Sequence, residues 1–250
     1  MIFKWSTWGN KSQINILLYP SVISFQKWFG KNHSYLLFTD NIEGLSKQTL
    51  DLLEVHLFEE YDSVYNIESN ATWKKWCPTP RIDITQTEFY IDSDVFLLKN
   101  PIEILDFLDN SELKYCILDE FKGEKWQHGY MSNIAADSTP FVNAGLFIQK
   151  AGNEITSELT ELFRWWSKNV PAYQQTHHDE QGALAIVLTK YFLNNELLVL
   201  PKDKYAIISK YQNVEIESLE NIVMMHSTYP NHPAFYRFKS EISRILAIEL

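Results

Sequence analysis

The eleven residues Glu88-Phe89-Tyr90-Ile91-Asp92-Ser93-Asp94-Val95-Phe96-Leu97-Leu98 constrain this chain more than any other stretch. An apolar, aromatic run leads into two aspartates spaced i, i+2, and a second apolar run follows. The leading run reads as a buried strand. Side chains alternate along a strand, so Asp92 and Asp94 are expected to point the same way. Two adjacent carboxylates repel, and either one takes up a proton or a cation sits between them. Oxygen ligands suit Mg²⁺ or Mn²⁺, ions that commonly also hold substrate phosphates. The chemistry implied is metal-assisted handling of a diphosphate.

The rest of the chain supports a protein built around such a strand. It has 250 residues, 45% of them hydrophobic, enough for a sizeable core. No repeat, low-complexity tract or Gly/Ser linker divides it, so residues 1–250 are expected to form a single domain. The formal charge of −10 excludes general nucleic-acid binding through a basic surface. Cys77 and Cys116 are too few for a zinc cluster and read as reduced thiols. The N-terminus has no signal pattern, and no apolar run approaches the roughly 20 residues of a spanning helix. The expected location is therefore cytoplasmic.

Ile14 to Phe29 has near-helical apolar spacing and is stopped by Gly30, as a C-cap would. Ser34 to Asp40 reads as a short strand, Leu45 to Phe58 as a helix and Ser63 to Ile67 as a strand. Further strands are expected at Tyr115–Leu118, Ala144–Gln149, Leu197–Leu200 and Ile222–His226. Helices are expected at Ile155–Lys168 and Gln181–Phe192. The alternation predicts an α/β fold with a mainly parallel sheet flanked by helices. Ligands of such sheets sit outside the carboxyl ends of the strands, where Asp40 and the Asp92/Asp94 pair fall. The helix-like segment from Phe235 to Leu250 is expected to pack on the domain.

Four segments in order resemble glycosyltransferases of the GT-A fold, in the style of bacterial surface-polysaccharide enzymes and similar to family 8-like members. Ile91-Asp92-Ser93-Asp94-Val95 matches their DxD motif. Phe141-Val142-Asn143-Ala144-Gly145 is similar to an N-x-G strand beside the sugar. Asp179-Glu180-Gln181-Gly182 is similar to an acidic motif opening a helix near the acceptor. Met225-His226-Ser227 lies where a late histidine closes the metal site. The resemblance runs from Ser6 to about Pro233.

The resemblance implies a Rossmann-like sheet, a nucleotide-binding half over about 1–100 and an acceptor-side half over about 101–250. It implies Mn²⁺ or Mg²⁺ held by Asp92, Asp94 and His226. A nucleotide-sugar donor, a UDP-sugar in first place, would meet Thr7, Asp40, Arg81, Asp83, Asp92, Ser93 and Gly145. Asp179, Asn143 and Glu180 would carry catalysis or orient the sugar. Trp126, His128 and Tyr130 are candidates to stack on a saccharide or lipid-linked acceptor, with peripheral contact at the inner face of a membrane. For each there is a plainer role: Asp179 and Glu180 as acids stabilising a helix N-terminus, Asn143 as a satisfied buried amide. Two other functions compete. One is a phosphohydrolase with Asp92 as nucleophile and Asp94 as acid. The other is an inactive nucleotide-sugar-binding module.

Overall fold

The computed structural model describes residues 1–67, 72–120, 125–208, 217–228 and 231–250. The centre is a seven-stranded sheet in the order β3-β2-β1-β4-β7-β6-β8. Its strands are β1 (Ile2–Thr7), β2 (Ser34–Thr39), β3 (Glu54–Leu57), β4 (Glu88–Ile91), β6 (Tyr115–Asp119), β7 (Val142–Gln149) and β8 (Leu197–Leu200). All neighbouring pairs are parallel except β7, which runs against both β4 and β6. A smaller sheet contains β5 (Val95–Leu97), β9 (Tyr205–Ile208) and β10 (Met224–Ser227), with β10 in the middle. The helices are α1 (Lys11–Phe29), α2 (Lys47–Leu50), α3 (Ile102–Asp109), α4 (Thr156–Asn169), α5 (Asp179–Leu193) and α6 (Pro233–Leu246).

The large sheet is buried on both faces, which is why its strands are apolar runs rather than alternating ones. In β4, Phe89 and Ile91 pack with Phe3, Trp5, Leu18 and Phe25 on the α1 side. Tyr90 turns the other way, towards Trp73, Trp76, Phe147 and Leu184. The third cluster lies under the small sheet, where α6 buries Phe235, Phe238 and Ile242 with Phe96 and Met225. The C-terminal helix thus packs on the domain, as expected. Among the described residues no helix is long and apolar enough to cross a membrane.

Three local expectations are corrected. Leu45 to Phe58 is not one helix. Ser46 caps a single turn, its Oγ accepting the Thr49 N–H at 3.1 Å, and the chain then joins the sheet as β3 beside β2. The free backbone edge of β2 outweighs a weak helical pattern. Ser63 to Ile67 is a turn, closed by Asn66 N–H to Ser63 O at 3.1 Å, with the Ser63 hydroxyl accepting the Tyr65 N–H. The strand before Asp92 also ends at Ile91. Residues 92–94 form a turn, closed by Val95 N–H to Asp92 O at 3.2 Å, that carries the chain into the small sheet. The two aspartates converge because the backbone turns there, and not through strand alternation. The sequence reading also passed over β1, which lies between β2 and β4.

Candidate active site

Asp92 and Asp94 lie at the carboxyl end of β4, where the two sheets meet. Opposite them, β10 pairs antiparallel with β5 so that His226 faces Val95, and Ser227 N–H donates to Asp94 O at 2.9 Å. This register brings His226 Nε2 to 3.2 Å from Asp94 Oδ1 and 3.9 Å from Asp92 Oδ2. One donor atom from each of the three residues lies within 4.8 Å of the others. Two carboxylates and one imidazole suit Mn²⁺ well and Mg²⁺ less, since Mg²⁺ favours oxygen alone. The donor set therefore fits a divalent ion held by these residues.

The far side of the His226 ring is also built. Its Nδ1 lies 3.1 Å from Asn143 Oδ1. The Asn143 amide is fixed by Gly145 N–H donating to Oδ1 at 2.8 Å and by Nδ2 donating to Glu120 Oε2 at 2.7 Å. Between β6 and β7 the pairing jumps from Ile117 opposite Phe147 to Leu118 opposite Asn143. Such irregularities re-aim side chains beside active sites. Gly145, inside the jump, sits against the ring: a Cβ there would overlap His226 Cε1 and Nδ1 and come within 2.9 Å of Asn143 Oδ1. Within the protein, the close approach that this glycine permits is that of the His226 ring.

Electrostatics hold the cluster together. Burial opposes a charge on His226, but Asp94 and Asp92 outweigh it and raise the imidazole above its ordinary value. Burial likewise pushes the Asp94 carboxyl up, yet His226 and His232 hold it well below the carboxylate range. Asp92 accepts the Tyr90 hydroxyl at 2.6 Å. Burial, followed by that carboxylate, keeps Tyr90 a phenol.

Beside the aspartates opens a cleft of about 200 Å³, with Thr7, Trp8, Thr72, Lys75 and Ser93 in its wall. Lys75 was not identified from sequence. In the Trp73-Lys74-Lys75-Trp76 run the two tryptophans are buried, and a lysine between them would ordinarily face solvent. Instead Lys75 is 4% exposed, with Nζ 3.4 Å from Asp92 Oδ1 and 3.0 Å from Glu180 Oε1. Burial works against its charge, and the two carboxylates reverse that and raise it, so it remains a cation. Glu180 also accepts the Thr72 hydroxyl at 2.9 Å, while its buried Oε2 has no hydrogen-bond partner among the described residues.

The expected donor contacts divide. Thr7 lines the cleft and donates to Thr39 Oγ1 at 3.2 Å. Asp40 lies at the carboxyl end of β2 and accepts the Gly9 and Asn41 N–H groups at 3.0 and 2.9 Å. Arg81 and Asp83 are at the wrong end of the sheet. Arg81 is buried beside Glu88, the first residue of β4, and donates to the carbonyls of Gln149 (3.0 Å), Ile84 (3.2 Å), Lys150 (3.1 Å) and Gln86. Asp83 closes a turn with Thr85 and Gln86. Arg81 thus ties loops across the amino ends of the strands, and neither residue reaches the cleft.

Asp179 is corrected too. It is fully buried, and its two oxygens accept from Tyr130 N–H (2.7 Å), Thr176 Oγ1 (2.9 Å), Trp166 Nε1 (2.8 Å) and Thr176 N–H (2.9 Å). A carboxylate has about four acceptor positions, and all are taken by the protein. It fastens the start of α5 and has none left for a sugar. His128 is likewise interior, 3.1 Å from Val142 O and stacked on Phe141. Tyr130 is half-buried. The Trp126 side chain lies outside the described residues.

No family model matches the sequence, and no curated protein matches it. The structure is similar to the galactosyltransferase LgtC in complex with donor and acceptor sugar analogs, at 11% identity over 99% of this chain and 95% of that one, with a TM-score of 0.59. It is similar to the bifunctional glycosyltransferase WbbM at 11% identity and a TM-score of 0.61, over 99% of this chain and 49% of that one. A third likeness is glucosyl-3-phosphoglycerate synthase from Mycobacterium tuberculosis in complex with Mn²⁺, UDP-glucose and phosphoglyceric acid. There the identity is 10%, the TM-score 0.51 and the coverage 100% and 80%. Likenesses at this identity establish architecture, and by strand order, layering and these superpositions the chain has the GT-A glycosyltransferase fold.

Proposed function

We propose that this protein is a metal-dependent glycosyltransferase that moves a hexosyl group from a nucleotide sugar, UDP-linked in first place, to a saccharide or lipid-linked acceptor. The observation that carries this reading is the convergence of Asp92, Asp94 and His226 beside an open cleft at the carboxyl ends of the central strands. A divalent ion there supplies charge neutralisation for a leaving diphosphate. The chain's own groups do the rest. Asn143 holds the His226 ring. Lys75 presents a cation at the cleft wall, where a diphosphate or the sugar's hydroxyls would lie. Glu180, whose buried Oε2 has no hydrogen-bond partner among the described residues, is the carboxylate assigned to the sugar in this reading once Asp179 is assigned to structure. Residues 1–100 form the donor half in this reading, and residues 101–250 supply His226, Asn143 and the acceptor side. Mn²⁺ over Mg²⁺ and a place near family 8 are parts of the same proposal.

The phosphohydrolase reading is weaker, because Asp92 Oδ1 is already engaged by Tyr90 and faces Lys75. One assay separates the readings. The protein is incubated with a panel of UDP- and GDP-sugars, and separately with p-nitrophenyl phosphate, with Mn²⁺ or with EDTA. The expected result is Mn²⁺-dependent release of nucleoside diphosphate from one donor, absent in Asp94→Asn. Ester hydrolysis without any nucleotide-sugar turnover would overturn the proposal.

A further inference from the structure

A second histidine reaches the metal carboxylate from the opposite side. His232 Nδ1 lies 3.1 Å from Asp94 Oδ2 and 2.6 Å from Ser227 O. Both neighbours are acceptors only, so Nδ1 must carry a hydrogen and share it between them. Asp94 is thereby held at both oxygens, Oδ1 towards His226 and Oδ2 towards His232. The backbone bends to allow this. Asn231 and His232 are successive non-glycine residues in the left-handed region, with φ of 64° and 45°. Such conformations are costly and persist where the surroundings enforce them, often at functional sites. Here the enforcing contacts are in view. Ser227 donates its N–H to Asp94 O and accepts the Phe235 N–H on its Oγ at 2.9 Å, which fixes the corner between β10 and α6 around Asp94.

We infer that His232 is the positioning residue of the metal site: its Nδ1–H pins Asp94 Oδ2 so that Oδ1 is turned to the ion, and it makes cation affinity depend on how α6 is seated. This rests on the metal reading above. It assigns a role to a residue six positions beyond His226 that had no signal in the sequence. Hydrogen bonds that orient a ligating group typically change metal affinity by about 10- to 100-fold.

The test compares His232→Gly with His232→Asn. Glycine and asparagine both tolerate the left-handed backbone, but only asparagine keeps a donor near the Nδ1 position. Mn²⁺ affinity is measured by calorimetry with UDP present, beside the melting temperature in EDTA. The glycine variant is expected to lose affinity on the order of 10- to 100-fold, and the asparagine variant to recover most of it, with both melting near the wild type. Equal Mn²⁺ affinity in wild type and glycine variant overturns the inference, as does an asparagine variant no better than glycine. No Mn²⁺ binding by the wild type overturns the metal reading itself.

Discussion

His226 Nδ1 faces Asn143 Oδ1 at 3.1 Å, and that amide cannot turn round. Gly145 N–H requires an oxygen at one end of it, and the Glu120 carboxylate requires an N–H at the other. Nδ1 of His226 must then carry the hydrogen. Nε2 is left to face Asp94 and Asp92, protonated in the absence of an ion and with a free lone pair once an ion takes the proton's place. The protein thereby fixes Nδ1 as the nitrogen that keeps its hydrogen and Nε2 as the one an ion can take.

Asn143→Ala removes this constraint while leaving the three candidate metal ligands, Asp92, Asp94 and His226, in place. Mn²⁺ affinity, titrated calorimetrically with UDP, is expected to fall by about 10- to 100-fold. An unchanged affinity would mean that the His226 ring is held by its packing alone.

Gly145→Ala is expected to be more damaging than its one methyl suggests. The new Cβ overlaps the His226 ring, so the ring must move away from the aspartates. Overpacking of this kind costs about 1–3 kcal/mol, and the displaced ring should also lower Mn²⁺ affinity. Thermal melting and Mn²⁺ titration are read together. Normal values in both would show that the ring has room the structure does not reveal.

Asp179→Asn separates structure from chemistry. The amide offers one acceptor oxygen where the carboxylate serves four donors, and its NH₂ is turned onto groups that also donate. Leaving buried donors unsatisfied costs about 1–3 kcal/mol each. At about 2–4 °C per kcal/mol for a chain of this size, the melting temperature should drop by several degrees or more. Turnover per folded molecule should remain close to wild type. A variant that melts normally but fails to transfer would return Asp179 to the chemistry.

The raised basicity of His226 gives apo protein and metal complex opposite pH dependence. An ion competes with a proton for Nε2, so Mn²⁺ affinity should fall on acidification, beginning above the ordinary histidine value of 6.5. Without metal, the folded-state value lies above the unfolded one. The protonated ring therefore contributes stability that is full below about pH 6.5 and is lost as pH rises through the folded value. Other buried histidines, such as His178, shift the other way, so a difference is the useful quantity. The gap in melting temperature between wild type and His226→Gln, in EDTA, should narrow as pH rises from about 5.5 to 8.5. A gap that stays constant would mean that the ring is neutral throughout.

The parts of this molecule legible in its sequence are those that depend on neighbouring residues. The apolar run before Asp92 forced a buried strand, the spacing from Ile14 to Phe29 with Gly30 after it defined α1, and Asp179 opened α5. The Asp92/Asp94 pair with His226 was legible because two close carboxylates and a late histidine after an apolar run carry an electrostatic and a positional signal. Tertiary structure alone decided what depends on distant pairing. Leu45 to Phe58 became a helical turn and a strand because β2 offered a free edge. Arg81 and Asp83 went to the amino ends of the strands, since the loop that carries them closes on Glu88, four residues before Asp92, and a strand separates its two ends in space. Lys75 and His232 had no signal at all. Each reaches the aspartates from a segment whose local sequence reads as ordinary, and only the packing of the 72–76 turn under α5 and of α6 against β10 brings them there. Chemistry that a few adjacent residues can express is written in the chain, whereas an ion pair or shared hydrogen bond between segments exists only once the fold has set their distance.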